Sequence, residues 1–394
     1  MTPRLAVLRR ISLMLLAHVA LGAALTVTVC LSLLTGCAGS AKWGMVELPP
    51  SLAGSVQEVP DGASRSSLHV STAVRTPPSG VTRVPFRLDD KRQIIVRAHA
   101  VGPFQPARDT TDLDLEVDTG APFVLSLSYE AGMAVRPWLR PSSRTWYSPM
   151  GSRRKYSGAI LELKVGDASL GPVPVQMDRE KGSGRPLLGL AFLRSFDGVI
   201  FDWRRREMLL LRGECQAAIA ARFPDTIEWC EVPLLNVSQV IERVPFPSGD
   251  GEAPQPVPLD LIAVDAKVGD QHVVAVIDTG GSGDALTMRD DLPMIEGTES
   301  HRTAGTKEEP VLFMESALAE LLVIGDRRFD EVRIFRFAAY HADAPSEVPD
   351  LFLGNGLLRR CTLWIDFKRN VVRFGPMDEP TDPGEEQCQT SASM

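Results

Sequence analysis

The sequence predicts an all-β protein built from two copies of one β unit, and three observations lead there. Asp-Thr-Gly occurs twice, at Asp118-Thr119-Gly120 and Asp278-Thr279-Gly280, each time directly after an apolar strand ending at Val117 or Ile277. The residues downstream repeat in the same order. Leu187-Leu188-Gly189 and then Phe201-Asp202-Trp203 follow the first triplet; Leu351-Phe352-Leu353-Gly354 and then Ile365-Asp366-Phe367 follow the second. The aspartates of the triplets lie 160 residues apart, Gly189 and Gly354 lie 165 apart, and Asp202 and Asp366 lie 164 apart. A near-constant offset across three landmarks is the signature of a duplicated structural unit. Finally, 30 Pro and 32 Gly fit many strands joined by turns, and a 394-residue chain that is 44% hydrophobic can bury two cores of ordinary size.

Residues 1–37 stand apart from that pattern. Arg4, Arg9 and Arg10 form a basic start, Ile11 to Leu34 is an apolar run, and the segment closes on Leu34-Thr35-Gly36-Cys37. A basic region, an apolar stretch and small residues before a cut describe a secretory signal. The same run is long enough to cross a bilayer as an uncleaved anchor. Either alternative tethers the folded part to a membrane, facing an extracytoplasmic compartment. Residues 38–80, rich in Ser, Gly, Pro and Ala, read as a flexible tether.

The first copy, 81–212, opens with strands at Val81–Phe86 and Gln93–Val101, the second of them rich in β-branched residues. Phe123–Leu127 leaves the first Asp-Thr-Gly loop as another strand, and Thr145–Gly151 with Ala159–Val165 reads as a hairpin. Residues 213–230 link the copies through a short helix at Gln216–Phe223. The second copy, 231–377, interrupts itself with a Pro- and Gly-rich loop from Pro245 to Pro258 before strands at Val257–Val268 and Gln271–Ile277. Asp284, just past the second triplet, reads as a solvated turn residue. The acidic tail, 378–394, is expected to be disordered.

The order apolar strand, Asp-Thr-Gly, hairpin, apolar-apolar-Gly, strand resembles one lobe of an aspartic protease. Two such lobes in one chain resemble the bilobal pepsin-like arrangement, while Ala121-Pro122 and Gly281-Ser282 after the triplets are closer to retropepsin-type and bacterial relatives. The resemblance spans roughly Val84 to Gly375. It implies an all-β bilobal fold with catalytic Asp118 and Asp278 facing each other across a cleft. Two carboxylates about 3 Å apart cannot both ionise, so they share a proton and supply both acid and base. Gly120 and Gly280 allow the tight turn and the approach of backbone N–H groups, and Thr119 and Thr279 carry hydroxyls able to bond across the lobe interface. Tyr147, or its neighbour Trp146, is the aromatic candidate on a flap hairpin. The implied activity is endopeptidase cleavage of a peptide or unfolded protein by a monomer, without cofactor. One rival is a catalytically silent lipoprotein that binds extended peptides as strands; another is pairing of lobes from two chains.

Leu34-Thr35-Gly36-Cys37 looks like a bacterial lipobox with Cys37 as the lipid attachment residue, and Ala38 after it favours the outer membrane in lipoproteins of that kind. Without residues 1–37 the chain has 39 basic and 50 acidic residues, a net charge of −11. That balance argues against nucleic acid or an anionic lipid surface as partner. Cys30 lies in the apolar run. Cys215, Cys230, Cys361 and Cys388 remain for pairing in an oxidising compartment, with Cys215–Cys230 and Cys361–Cys388 the expected bridges among three connectivities. The 6 His are scattered, with neither His-Glu-x-x-His nor Cys-x-x-Cys, so no metal site is expected. Walker-type and dinucleotide-type glycine loops are absent, and Gly281-Ser282-Gly283 lacks the spacing of a nucleophile elbow.

Overall fold

The computed structural model describes residues 73–74, 80–104, 110–148, 151–182, 184–224, 227–240, 258–287, 289, 291–297, 300–304, 312–337 and 349–377. In the first repeat, β1 (Ala73–Val74), β2 (Gly80–Leu88), β3 (Ile94–Val101), β4 (Thr111–Asp118) and β5 (Leu125–Leu127) precede a helix, α1 (Tyr129–Val135). Six strands follow: β6 (Trp138–Ser148), β7 (Gly151–Ile160), β8 (Glu162–Val165), β9 (Ala168–Gly171), β10 (Val173–Asp178) and β11 (Leu187–Gly189). The repeat closes with α2 (Leu190–Leu193), β12 (Gly198–Asp202) and β13 (Glu207–Arg212). A connector carries α3 (Gln216–Arg222) and β14 (Cys230–Pro233). The second repeat contains β15 (Leu235–Val240), β16 (Pro258–Val268), β17 (Gln271–Ile277), β18 (Ala285–Thr287), β19 (Ser300–Ala304), β20 (Leu312–Leu318), β21 (Leu322–Ile324), β22 (Arg327–Phe329), β23 (Arg333–Phe337) and β24 (Leu351–Leu353). It ends with α4 (Asn355–Leu358), β25 (Cys361–Asp366) and β26 (Val371–Met377). The protein is all-β.

The duplication read from the sequence extends to strand pairing. β11 runs parallel to β4, with Gly189 opposite Asp118, and antiparallel to β5. In the second repeat β24 runs parallel to β17, with Leu353 opposite Ile277, and antiparallel to β18. β5 pairs in parallel with β10, as β18 does with β23. A parallel strand wedged between the strand that enters a loop and the strand that leaves it fixes both ends of that loop. The buried apolar side chains are Leu113, Leu115, Val117, Leu125 and Leu188 in one repeat and Val276, Ile277, Ala285, Leu351 and Leu353 in the other; in β4 they alternate with the exposed Asp112 and Asp114. Such alternation marks a strand with one face on the core and the other toward solvent.

β12, β13, β25 and β26 join the two repeats, in the order β14-β26-β25-β12-β13-β2. β12 pairs antiparallel with β25, and all five of its residues are buried. Asp202 and Asp366 occupy equivalent hairpin turns, where each Oδ1 accepts a backbone N–H three residues on, from Arg205 at 3.0 Å and Arg369 at 2.9 Å. Asp202 also accepts two hydrogen bonds from the Arg222 guanidinium, at 3.0 and 2.8 Å, which pins α3 beside the sheet. The second conspicuous aspartate pair of the sequence is therefore structural.

Several expectations need correction. The strand expected at Phe123–Leu127 begins at Leu125 and runs into α1, whose first turn is capped by Ser128 Oγ accepting from Ala131 N at 3.2 Å. The run Ala159–Val165 is two strands, because the chain changes partner at Leu161: Ile160 lies opposite Val173 of β10, whereas Glu162 lies opposite Val101 of β3. Part of the expected tether belongs to the fold, since Ala73–Val74 pairs with Leu170–Gly171. The bridge between Cys215 and Cys230 is not formed. Both thiols are buried, but Cys215 Sγ donates to the carbonyls of Gly80 and Arg212, at 3.1 and 3.3 Å, and Cys230 Sγ donates to Ile324 O at 3.4 Å. The connector leads the two residues into different packing environments. Cys361 is buried, with Sγ 3.8 Å from Leu358 O. Its expected partner Cys388 lies outside the described residues, as do the signal segment with Cys37, the loop 241–257 and the tail.

Candidate active site

Each Asp-Thr-Gly loop is held from behind by its own repeat. Gly189 N donates to Val124 O at 3.1 Å and Leu190 N to Ala121 O at 2.7 Å. In the second repeat Gly354 N donates to Asp284 O at 2.9 Å and Asn355 N to Gly281 O at 2.7 Å. These contacts explain the glycine in each apolar-apolar-Gly motif. A Cβ on Gly189 would collide with the carbonyl oxygens of Phe123 and Ala121, and one on Gly354 with those of Gly283 and Gly281. Only a residue without a side chain lets the strand end approach the loop so closely.

The loops then lock to each other. Thr119 N donates to Thr279 Oγ1 at 3.0 Å and Thr279 N to Thr119 Oγ1 at 2.9 Å. Each hydroxyl donates onward to a strand carbonyl of the opposite repeat, Thr119 to Ile277 O at 2.7 Å and Thr279 to Val117 O at 2.9 Å. Both threonines have 0% exposure. Both N–H groups and both hydroxyls of the two threonines are satisfied, and a buried polar cluster is stabilising and rigid only when its groups are paired.

The knot sets Asp118 and Asp278 against each other. Gly120 N donates to Asp118 Oδ1 at 2.8 Å and Gly280 N to Asp278 Oδ1 at 3.0 Å. Each glycine also faces the opposite carboxyl. A Cβ on Gly120 would lie 2.7 Å from Asp278 Oδ1, and one on Gly280 would lie 2.5 Å from Asp118 Cγ. Burial is the largest cause raising the Asp118 carboxyl well above the usual range, and the charges of Asp278 and Glu116 add to it. Burial also raises Asp278, while its hydrogen bond with Asp118 and the N–H groups of Gly280 and Gly281 pull in the opposite direction. Two desolvated carboxyls in contact are repelled from double ionisation, so one proton is retained between them.

No family model matches the chain, and no curated protein is significantly similar to it. The functional reading therefore rests on this geometry and on the repeated sequence around it.

Two site residues have no motif to announce them. Glu116, two residues before Asp118, is 8% exposed, and burial pushes its carboxyl up to about 7. Gln93 Nε2 donates both to Glu116 Oε1 at 2.7 Å and to Gly280 O at 3.1 Å, so it ties β4 to the opposite loop. The available signal is the alternation in β4. Asp112, Asp114 and Glu116 share a face, yet the first two are exposed and Glu116 is buried.

Asp284 requires a correction. It is not a solvated turn residue, because Oδ2 accepts from Arg333 N and from Arg360 Nη2, both at 3.0 Å. It braces the second loop from outside. Asn355 is wholly buried and donates Nδ2–H to Thr279 O at 2.6 Å, where the first repeat has the apolar Leu190. The backbone of Tyr147 and Trp146 lies in β6, the hydrogen-bonded neighbour of β7. Their side chains lie outside the described residues. Among the described residues no cluster of three or more His, Cys, Asp or Glu side chains is arranged to hold a metal ion.

Proposed function

We propose that the protein is an aspartic-type endopeptidase on a bilobal pepsin-like fold, with Asp118 and Asp278 as its catalytic pair. The observation that carries this reading is the cross-tied pair of Asp-Thr-Gly loops, which brings one carboxyl from each repeat against the other's glycine. In this mechanism the ionised member of the pair takes a proton from a water molecule as it attacks the scissile carbonyl carbon. The protonated member gives its proton to the carbonyl oxygen. The tetrahedral gem-diol collapses as the newly protonated carboxyl gives its proton to the leaving amine, the C–N bond breaks, and the other carboxylate takes a proton from one diol hydroxyl, so the pair is again singly protonated. Both roles need carboxyls with shifted affinities in a rigid setting, and the buried threonine knot supplies the rigidity.

Cleavage of an unfolded protein between pH 3 and 7, suppressed by a statine-type transition-state mimic, is the expected result. Tight binding of extended peptides with no cleavage at any pH in that range would favour the silent peptide-binding alternative. We also propose anchoring at the extracytoplasmic side of a bacterial membrane through Cys37. Cys37→Ser should abolish incorporation of labelled fatty acid, and undiminished labelling would refute the anchor.

A further inference from the structure

We propose that Glu116 is a third carboxyl of this site, a positioning residue whose charge biases the shared proton toward Asp118. The inference rests on the same aspartate pair as the proposed protease, although its direct test does not require proteolysis.

Four observations lead to it. Successive side chains on a strand alternate between faces, so Glu116 and Asp118 share one face of β4. Glu116 is almost fully buried, which places an acid where an apolar residue is the ordinary occupant. Gln93 holds it in place with a single amide that also reaches Gly280 O, 187 residues away in the chain. The equivalent position in the second repeat is Val276, which is buried and carries no charge. The two loops are thus matched in backbone and threonine contacts but unequal in electrostatics. A negative charge on one side only makes the neighbouring carboxyl the more reluctant of the two to ionise.

The surroundings of Glu116 are mixed. Arg185 sits in the segment before β11, paired with Asp89 at 2.6 Å, and Asp89 Oδ1 accepts the N–H groups of Lys91 and Gln93. Arg185 and Lys91 favour the ionised form of Glu116, while Asp89 and Asp278 oppose it, and burial outweighs them all. Burial therefore lifts the Glu116 carboxyl to about 7, so its charge appears as pH rises through that value. When it ionises, it makes the remaining proton on the pair harder to remove. Gln93, itself positioned by Asp89, transmits the geometry. Loss of its amide would leave Glu116 without a donor to stabilise its charge.

The test is a titration of the full-length chain labelled with 13C at the Asp and Glu carboxyl carbons, with Asp118 assigned by Asp118→Asn. In the wild type, three coupled carboxyls should respond. In Glu116→Gln two should remain, and the last deprotonation of Asp118 should move to lower pH. If proteolysis is present, the alkaline limb of its pH–rate profile should retreat in the same direction. An unchanged Asp118 titration in folded Glu116→Gln would overturn the proposal and leave Glu116 as a structural acceptor. Gln93→Leu supplies the second variant should Glu116→Gln not fold. It should keep Glu116 neutral to higher pH, so the Asp118 step should again fall, and an unmoved step would overturn the proposal equally. A shifted titration in a protein that cleaves nothing would refute the protease reading while sustaining the role of Glu116.

Discussion

Replacing Thr279 with Val tests the threonine knot without changing the volume of the side chain. Thr279 Oγ1 accepts from Thr119 N at 3.0 Å and donates to Val117 O at 2.9 Å, in a place with 0% exposure. Valine fills the same space, so no cavity contributes. What remains is a stranded N–H, worth about 1–3 kcal/mol, and a lost carbonyl bond worth about 1 kcal/mol, so the cost is roughly 2–4 kcal/mol. Thr279→Ser is the control. It keeps both hydrogen bonds and loses one methyl group, which costs about 1 kcal/mol. Thr119→Val removes the two reciprocal bonds, those with Thr279 N and Ile277 O, and should cost as much as Thr279→Val. Urea denaturation reads the difference as a fall in midpoint at constant slope. If Thr279→Val unfolds at the same midpoint as Thr279→Ser, the hydroxyl contacts are not what holds the two loops together.

Two further outcomes follow from the geometry. Gly280→Ala puts a methyl group 2.5 Å from Asp118 Cγ, so it should abolish proteolysis while the far-ultraviolet circular dichroism stays that of a β protein; activity close to wild type would refute the close approach. Glu116, raised from 4.5 to about 7 by burial, contributes stability that is fully present below pH 4.5 and is lost as pH rises through about 7. Glu116→Gln should accordingly gain on the wild type in thermal stability as pH increases across that window, and a pH-independent difference would contradict the assigned cause.

The parts of the site visible in the sequence are those whose determinants are local. Asp, Thr and Gly stand together because one tight loop must present a carboxyl, a hydroxyl and an open backbone N–H within three residues. The duplication made the second copy a check on the first. The helix at Gln216–Arg222 was legible for a similar reason, from a short run of helix formers between two breaks. Gln93 and Glu116 were not, because their function arises from a contact 187 residues apart. In β4 the alternation Asp112, Asp114, Glu116 suggests one solvated acidic face. Yet Glu116 is buried, and Gln93 bridges it to the opposite loop. The cysteines show the same limit: spacing brought Cys215 and Cys230 together in sequence, whereas packing directs one thiol to Gly80 and the other to Ile324.

The most direct measurement compares cleavage of an unfolded protein by the wild type, Asp118→Asn, Asp278→Asn and the double variant across pH. If one shared proton unites the two carboxyls, both single variants and the double variant should fall to about the same floor, as groups acting as a unit do. The wild-type profile should be bell-shaped, with both limbs belonging to the pair. A folded single variant that retains near-wild-type cleavage would remove that aspartate from the mechanism and contradict a dyad assembled from the two repeats.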